Sequence, residues 1–590
     1  MHYLFLNIAY ISEMKPEKRW TLKPVNEGTV NTLCEALHTN PAICRILALR
    51  GIKDYKSAKL FFRPELSHLH DPFLMKGMKE AVERISTAIE WHERIMVYGD
   101  YDVDGTTSVA LVYSFLKKNY PDSHRDELAF YIPHRYREGY GISRQGIDFA
   151  HANGYTLMIT LDCGIKSVEH ITYARSLGID VIVCDHHLPD EHIPPAFAIL
   201  NPKQPGCKYP YKELSGCGIG FKMAAALAVH WKQPMATVYE YLDLVATSIA
   251  ADIVPIDGEN RILAFYGIKK VNESPSLAIS TLKELGGVTK PLTISDLVFV
   301  IGPRVNAAGR MDDARKAVEF FIETDPEKIQ TLAAALHSDN DDRKEVDKSI
   351  TEEALAILDA DTTIHRSTVL YRPHWHKGVV GIVASRLIDH YFRPTIVMTS
   401  ANGKATGSAR SVPGFNIYEA IHACRDLLDN YGGHFYAAGI TMAENRVDEF
   451  IAKFEQVVSS TITADQLVPE IEIDADIPLS YVKPAFYNLI KQLEPFGPAN
   501  MKPVFITHEM YDYQGLSNVV KEQHLRIVAH QKNGAVIEGI GFGLAEKYEM
   551  VRNGSFDMVY NIEENEHNGN IKIQVKVIDI RKAQKTITVN

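Results

Sequence analysis

Between about residues 75 and 260, short apolar runs alternate with helical patterns, and this alternation restricts the fold more than any other feature of the chain. "RIMVYG", "TLMITL", "IDVIVC" and "FAIL" read as buried strands. "TTSVALVYSFLKKN" and "KSVEHITYARSLG" read as helices, the first opened by hydroxyl residues suited to capping. Strands without polar alternation are buried on both faces, which predicts a parallel, doubly wound α/β sheet. Ligands of such sheets bind outside the carboxyl ends of the strands, so the residues just past each apolar run are where chemistry is expected.

Residues 260–320 are mostly helical, and "PEKIQTLAAALHSDNDDRKEVDKSITEEALAIL" (326–358) combines long helical periodicity with heavy charge. The latter reads as a solvated helix joining two lobes. From "TVLYRP" (368–373) to "GGHFYAAGI" (432–440) strands and helices alternate again, predicting a second α/β domain. Five β-rich runs follow: "PVFITHEMYDY", "HLRIVAHQ", "AVIEGIGFG", "FDMVYNIE" and "NIKIQVKVIDI". Five strands in about 90 residues suit a small OB-type barrel. The expected divisions are an N-terminal segment 1–74, an α/β domain 75–320, a connecting helix 321–358, an α/β domain 359–465 and a barrel 466–590.

A chain of 590 residues has room for these domains. Its net charge of −11 argues against coating nucleic acid by bulk charge but leaves room for a local basic groove. Seven scattered cysteines without a CxxC pair argue against a disulfide framework or structural zinc and fit a reducing cytoplasm. Nothing approaches 18 consecutive apolar residues, so no membrane span is expected. The start, "MHYLFLNIAYISEM", lacks the basic region and cleavage site of a signal peptide and reads as a tail or as sequence ahead of a start at Met14.

"YGDYDVDGTTS" places Asp100, Asp102 and Asp104 at alternate positions after the apolar run Ile95-Met96-Val97. In an extended chain the three carboxylates share one face, a cluster that needs cations or protons to be stable. An EF-hand loop is rejected, because its twelfth position is Leu111 rather than glutamate. Three further segments place acidic or imidazole groups after apolar runs: Asp162 in "TLDCGIKS", Asp185, His186 and His187 in "VIVCDHHLPD", and Asp252 in "SIAADIVPIDGENR". Meeting in one crevice, these suffice for two hard divalent ions about 3.5–4 Å apart, the arrangement that serves phosphoryl chemistry. There is no GxxxxGK[ST] loop, and "GCGIG" (216–220) lacks dinucleotide spacing. Hydrolysis of a phosphoester or phosphoanhydride without ATP follows.

"YDVDG" with "DHH" resembles the DHH phosphoesterase superfamily. "GDYDVDGTTS", "RYREGYGIS", "TLDCGI", "CDHH", "IGPRVNAAGRMD", "WHKGVVGIVASRL", "GSARS", "GGH" and "LEPFGPANMKPVF" narrow the resemblance to the RecJ-type single-strand-specific 5′→3′ DNA exonucleases, from about residue 18 onward. The resemblance implies a DHH domain, a long connecting helix, a DHHA1 domain and an OB-fold. It implies Asp102, Asp104, Asp162, His186 and Asp252 as ligands of two Mn²⁺ or Mg²⁺ ions, with Asp162 bridging. Asp100 and Asp185 would orient those ligands, and His187 would approach the scissile phosphate. Arg304, Asn306 and Arg310, Ser408 and Arg410, Gly432, Gly433 and His434, His376, Arg137 and Tyr140 look like substrate contacts, Tyr140 as a stacking ring. One position departs from the pattern: smaller DHH phosphatases carry histidine where this chain has Tyr98, so one ion is expected to be held more weakly.

The implied reaction is attack of metal-activated hydroxide on phosphorus and release of 5′-mononucleotides from single-stranded DNA, in repair and recombination. The implied setting is a cytoplasmic monomer working with single-strand-binding protein and a helicase, and without a membrane. Two alternatives remain open: a DHH hydrolase of oligoribonucleotides, cyclic dinucleotides or pyrophosphate, and a scaffold related to the eukaryotic replication-helicase subunit. The barrel region argues against the first, and the complete carboxylate set against the second.

Overall fold

In the computed structural model, which describes residues 17–583 except 533, 568 and 569, the first four apolar runs form strands as the alternation predicts. Residues 1–16, where the tail or Met14 start was placed, lie outside the described residues. The strands are β1 (Arg94–Gly99), β2 (Leu128–Tyr131), β3 (Tyr155–Leu161), β4 (Asp180–Cys184) and β5 (Ala198–Leu200). All pair in parallel in the order β2-β1-β3-β4-β5. The short edge strand β2 was not anticipated. The order reverses between β1 and β3, so the crevice of this sheet opens where Asp100 and Asp162 emerge.

Five helices matter to the site: α1 (Val103–Asn119), α2 (Gly216–His230), α3 (Leu242–Ala251), α4 (Gly302–Met311) and α5 (Pro326–Ala360). The α1 boundary corrects the expectation of a helix opened by hydroxyls at Thr106. Asp102 is the N-cap, and the hydroxyls of Thr106, Thr107 and Ser108 bond back to the carbonyls of Asp102, Val103 and Asp104. Helix α5 is present but is not simply solvated. Ile329, Ala333, Leu336, Asn340, Asp347, Ile350 and Ala354 form a buried stripe at helical spacing. Its polar members hid it from the sequence; Asp347 is neutralised by Arg386, 2.6 Å away.

The described chain divides into two compact units. The larger combines Thr21–Gly309, Ala314–Ala334 and the chain from Glu472; the smaller combines Arg310–Asp313 with Ala335–Ile471 and the chain up to Trp20. The smaller contains a mixed sheet of five strands, with Lys404–Arg410 at its centre between Thr395–Ala401 and Ala437–Ala443. In the larger unit the five β-rich runs close into a ring. Phe505–Asp512 pairs with both Phe556–His567 and His524–His530, while Asn570–Lys582 pairs in parallel with Val536–Gly541. Leu33, Cys44, Ile46 and Leu47 of the N-terminal helices share one core with Phe505, Met510, Leu525 and Ile527 of this barrel.

On the barrel, the carboxylate of buried Asp557 accepts a hydrogen bond from His508 Nδ1 at 3.1 Å, and Asp476 stands 3.5 Å from Nε2. The Asp557 bond holds the imidazolium above its ordinary value against the opposing effect of burial. A raised folded-state pKa stabilises fully below the unfolded value of about 6.5, and the contribution disappears as pH climbs through the folded value. Stability against urea should therefore fall as pH rises above about 6.5, and His508→Gln should flatten that fall.

Candidate metal centre

The three aspartates converge through a turn and a helix start, not along an extended strand. β1 ends at Gly99, and Asp102 accepts from Gly105 N at 3.0 Å. Asp104 thus enters the first turn of α1, fully buried, and is gripped from the other side of the crevice. Its Oδ2 accepts from Gly216 N at 2.6 Å, and its Oδ1 from Cys217 N at 2.8 Å and Ser248 Oγ at 2.6 Å. The amides belong to the first turn of α2, whose positive end favours a carboxylate. A Cβ on Gly216 would stand 2.8 Å from Asp162 Cβ and 3.0 Å from Asp104 Oδ2, so only glycine admits this approach. Sequence reasoning set "GCGIG" aside because it lacks dinucleotide spacing. A capping serine followed by glycine was the available signal for an anion-facing helix start.

Asp162 follows β3 in the left-handed region (φ 61°), its amide bonded to Cys184 O at 2.9 Å. Asp185, after β4, accepts from His187 Nδ1 at 2.7 Å and from Ile165 N at 2.9 Å, which leaves His187 Nε2 directed outward beside the Tyr140 hydroxyl at 3.3 Å. His186 Nε2 lies 3.1 Å from Asp162 Oδ1, 3.6 Å from Asp252 Oδ2 and 3.8 Å from Asp104 Oδ2. Asp252 corrects the expectation of a fourth strand end: it terminates helix α3. Leu242–Ala251 is buried nearly throughout, and a short apolar run on every face does not distinguish helix from strand.

Among the described residues, three sets of ligand atoms lie mutually within 4.8 Å: Asp100, Asp102 and Asp162; Asp104, His186 and Asp252; Asp162, His186 and His187. Asp162 and His186 each belong to two. Asp162 Oδ1 and His186 Nε2 are buried and make no hydrogen bond although they face one another. Burial, and after it the charge of neighbouring aspartates, pushes Asp100 and Asp162 well above the ordinary carboxylate range and Asp252 up to about 9. Burial lowers His186. Burial alone would raise Asp185 too, but His187 and the Ile165 amide hold it at about 2. The clustered carboxylates can all be ionised only if positive charge lies among them, and oxygen and imidazole donors suit hard or borderline divalent ions. These residues fit a metal centre.

Tyr98 does not face the carboxylates. It points to the other side of β1, buried and stacked on Tyr131, donates to Gly141 O at 2.9 Å and accepts from Ser143 N at 3.1 Å. It fastens the segment that carries Tyr140, which is 56% exposed and donates to Asp162 O at 3.2 Å. Arg137 is exposed nearby. In α4, Arg304 is buried and donates to Val300 O at 2.5 Å, and Asn306 is half-buried. In the smaller unit, Arg310 donates to Gly378 O at 3.0 Å, and His376 Nδ1 accepts from Gly378 N at 3.1 Å. Arg410 donates to Ser408 Oγ at 2.9 Å, and both lie against Gly381. A Cβ on Gly433 would meet Ala437 O at 2.3 Å, whereas Gly432 faces open space; His434 N bonds Ala437 O at 2.8 Å.

Family models match in chain order: the N-terminal domain of the DHH family at 94–249, the DHHA1 domain at 364–460 and the RecJ OB domain at 473–579. The chain is 35% identical over 569 residues to the single-stranded-DNA-specific exonuclease RecJ of Bacillus subtilis, spanning 95% of this chain and 70% of that one. The chain belongs to the RecJ family. Another member, the Salmonella typhimurium RecJ, is 31% identical over 92% of this chain and 96% of its own length. Among solved structures, RecJ from Thermus thermophilus in complex with Mn²⁺ superposes with a TM-score of 0.81 and 27% identity, over 96% of this chain and 80% of that one. The same protein has been solved with Mg²⁺. The DHH, DHHA1 and OB order matches the α/β, α/β and barrel reading of the sequence. Among the described residues no helix is long and apolar enough to cross a membrane.

Proposed function

We propose that this chain is a single-stranded-DNA-specific exonuclease that hydrolyses phosphodiester bonds 5′→3′ and releases 5′-mononucleotides in DNA repair and recombination. One observation carries the reading: carboxylates and imidazoles from β1, β3, β4 and α3 converge at the switch point of the sheet, in a chain of the RecJ family. Asp102, Asp104, Asp162, His186 and Asp252 would hold two Mn²⁺ or Mg²⁺ ions, with Asp162 shared and Asp100 adjoining it. When bound, such ions lower the pKa of a water and neutralise charge developing on the phosphate. The protein's own part is placement. Asp185 fixes His187 with its proton on Nδ1, so that Nε2 presents toward the substrate. Tyr140 offers a ring for a base to stack on. Arg137, Arg304, Asn306, Arg310, His376, Ser408, Arg410, Gly432, Gly433 and His434 would contact the strand's phosphates and sugars. The position of Tyr98, turned away from the centre, supports unequal affinities of the two ions.

The setting is a cytoplasmic monomer that meets single-strand-binding protein and a helicase at its substrate. The test offers purified protein 5′- and 3′-labelled single strands, duplex DNA and RNA with Mn²⁺, Mg²⁺ or EDTA. Single-stranded DNA should shorten from its 5′ end with a metal and stay intact in EDTA. Intact single strands with both metals would overturn the proposal.

A further inference from the structure

Of the site carboxylates, Asp104 and Asp185 are each held by several hydrogen bonds, and Asp102 by the Gly105 amide. Asp252 is placed by the end of a helix: its carboxylate lies 3.6 Å from His186 Nε2, a fellow donor, and its aim depends on the backbone turn that follows α3. That turn holds Ile253 at φ 60°, a conformation a β-branched residue adopts only where its surroundings impose it. Part of the imposition comes from far along the chain. Ile256 N donates to Pro498 O at 2.7 Å, and Gly497 lies so close that a Cβ there would stand 2.5 Å from Ile256 Cγ1.

The loop that supplies Pro498 is itself tightly held. Asn500, buried, donates to Leu493 O and Pro495 O at 2.8 Å each and accepts from Arg50 Nε at 2.5 Å. Arg261, five residues past Ile256 and buried, donates to Leu493 O and Glu494 O at 3.0 Å. "LEPFGPAN" thus binds the chain just past the Asp252 turn at two points, Ile256 and Arg261. We propose that Leu493–Asn500 is a positioning element for Asp252, which makes the metal affinity of the DHH domain depend on a segment leading into the barrel. This rests on the metal-centre reading above.

Gly497→Ala in the full chain tests it, because the new methyl presses on Ile256 while leaving every anchor of the loop in place. The Mn²⁺ concentration for half-occupancy, measured by equilibrium dialysis, should rise about tenfold, the effect expected when a supporting partner of a ligand is disturbed. The turnover rate at saturating Mn²⁺ and the KM for single-stranded DNA should stay near wild type. In an Ile256→Ala background, where the pressed atom is absent, adding Gly497→Ala should change Mn²⁺ affinity little. A folded Gly497→Ala protein with wild-type Mn²⁺ affinity, or an equal loss in the Ile256→Ala background, overturns the proposal. If Gly497→Ala does not fold, Asn500→Ala, which removes anchors without adding atoms, decides by the same readout. A wild-type protein that binds no Mn²⁺ would instead overturn the metal centre itself.

Discussion

Replacing Asp162 with alanine should lower single-strand hydrolysis by about 10³-fold or more, equivalent to at least about 4 kcal/mol of transition-state stabilisation. Asp162 belongs to two of the three ligand sets, so its loss breaks two of them, whereas losing Asp252 breaks one. Its left-handed backbone and the close approach of Gly216 fix where its carboxylate stands. Removing it also relieves repulsion among buried carboxylates, so the thermal midpoint in EDTA should not fall. Loss of activity with unchanged or raised stability is the signature of a functional rather than structural residue. Near-normal turnover in the variant would remove Asp162 from the site.

The second large effect is on stability. Lys222 in α2 is fully buried, with Nζ 2.8 Å from Glu259 Oε1 and 2.6 Å from His70 O. Glu259 also accepts from the Tyr209 hydroxyl at 2.6 Å and from His70 N at 2.8 Å. Lys222→Met keeps the volume but leaves a buried carboxylate without its counter-charge, which should cost about 3–5 kcal/mol. Adding Glu259→Gln should recover much of that loss, because the remaining amide is neutral and Tyr209 and His70 stay nearby. The urea midpoint of the larger unit measures both, and a double-mutant cycle gives their coupling. A shift under 1 kcal/mol in Lys222→Met would show that water or a neighbouring cation reaches Glu259.

Much of the architecture could be read from periodicity. The strands β1, β3, β4 and β5, helix α5 and all five barrel strands lie where apolar runs and turn residues place them, because burial on one face or both imposes a repeat on the chain. Two of the misses share one cause. Helix α3 is apolar all round and was read as leading to another strand end, and the buried stripe of α5 was masked by Asn340 and Asp347. In both, residue type alone does not reveal what a side chain packs against.

The chain's local chemistry was enough to mark Asp100, Asp102, Asp104, Asp162, Asp185, His186, His187 and Asp252 as one acidic, imidazole-bearing set and to suggest hard divalent metals. That follows from charge: so many carboxylates beside apolar strands need cations. Only the tertiary structure decided how each is held. It placed the α2 amides and Ser248 on Asp104, turned Tyr98 away to anchor the Tyr140 segment, and set Pro498 against the turn after Asp252. Those contacts join residues more than a hundred positions apart or opposite faces of one strand, and no local spacing encodes them. They arise when burial brings distant backbone amides and carbonyls together and each must find a partner.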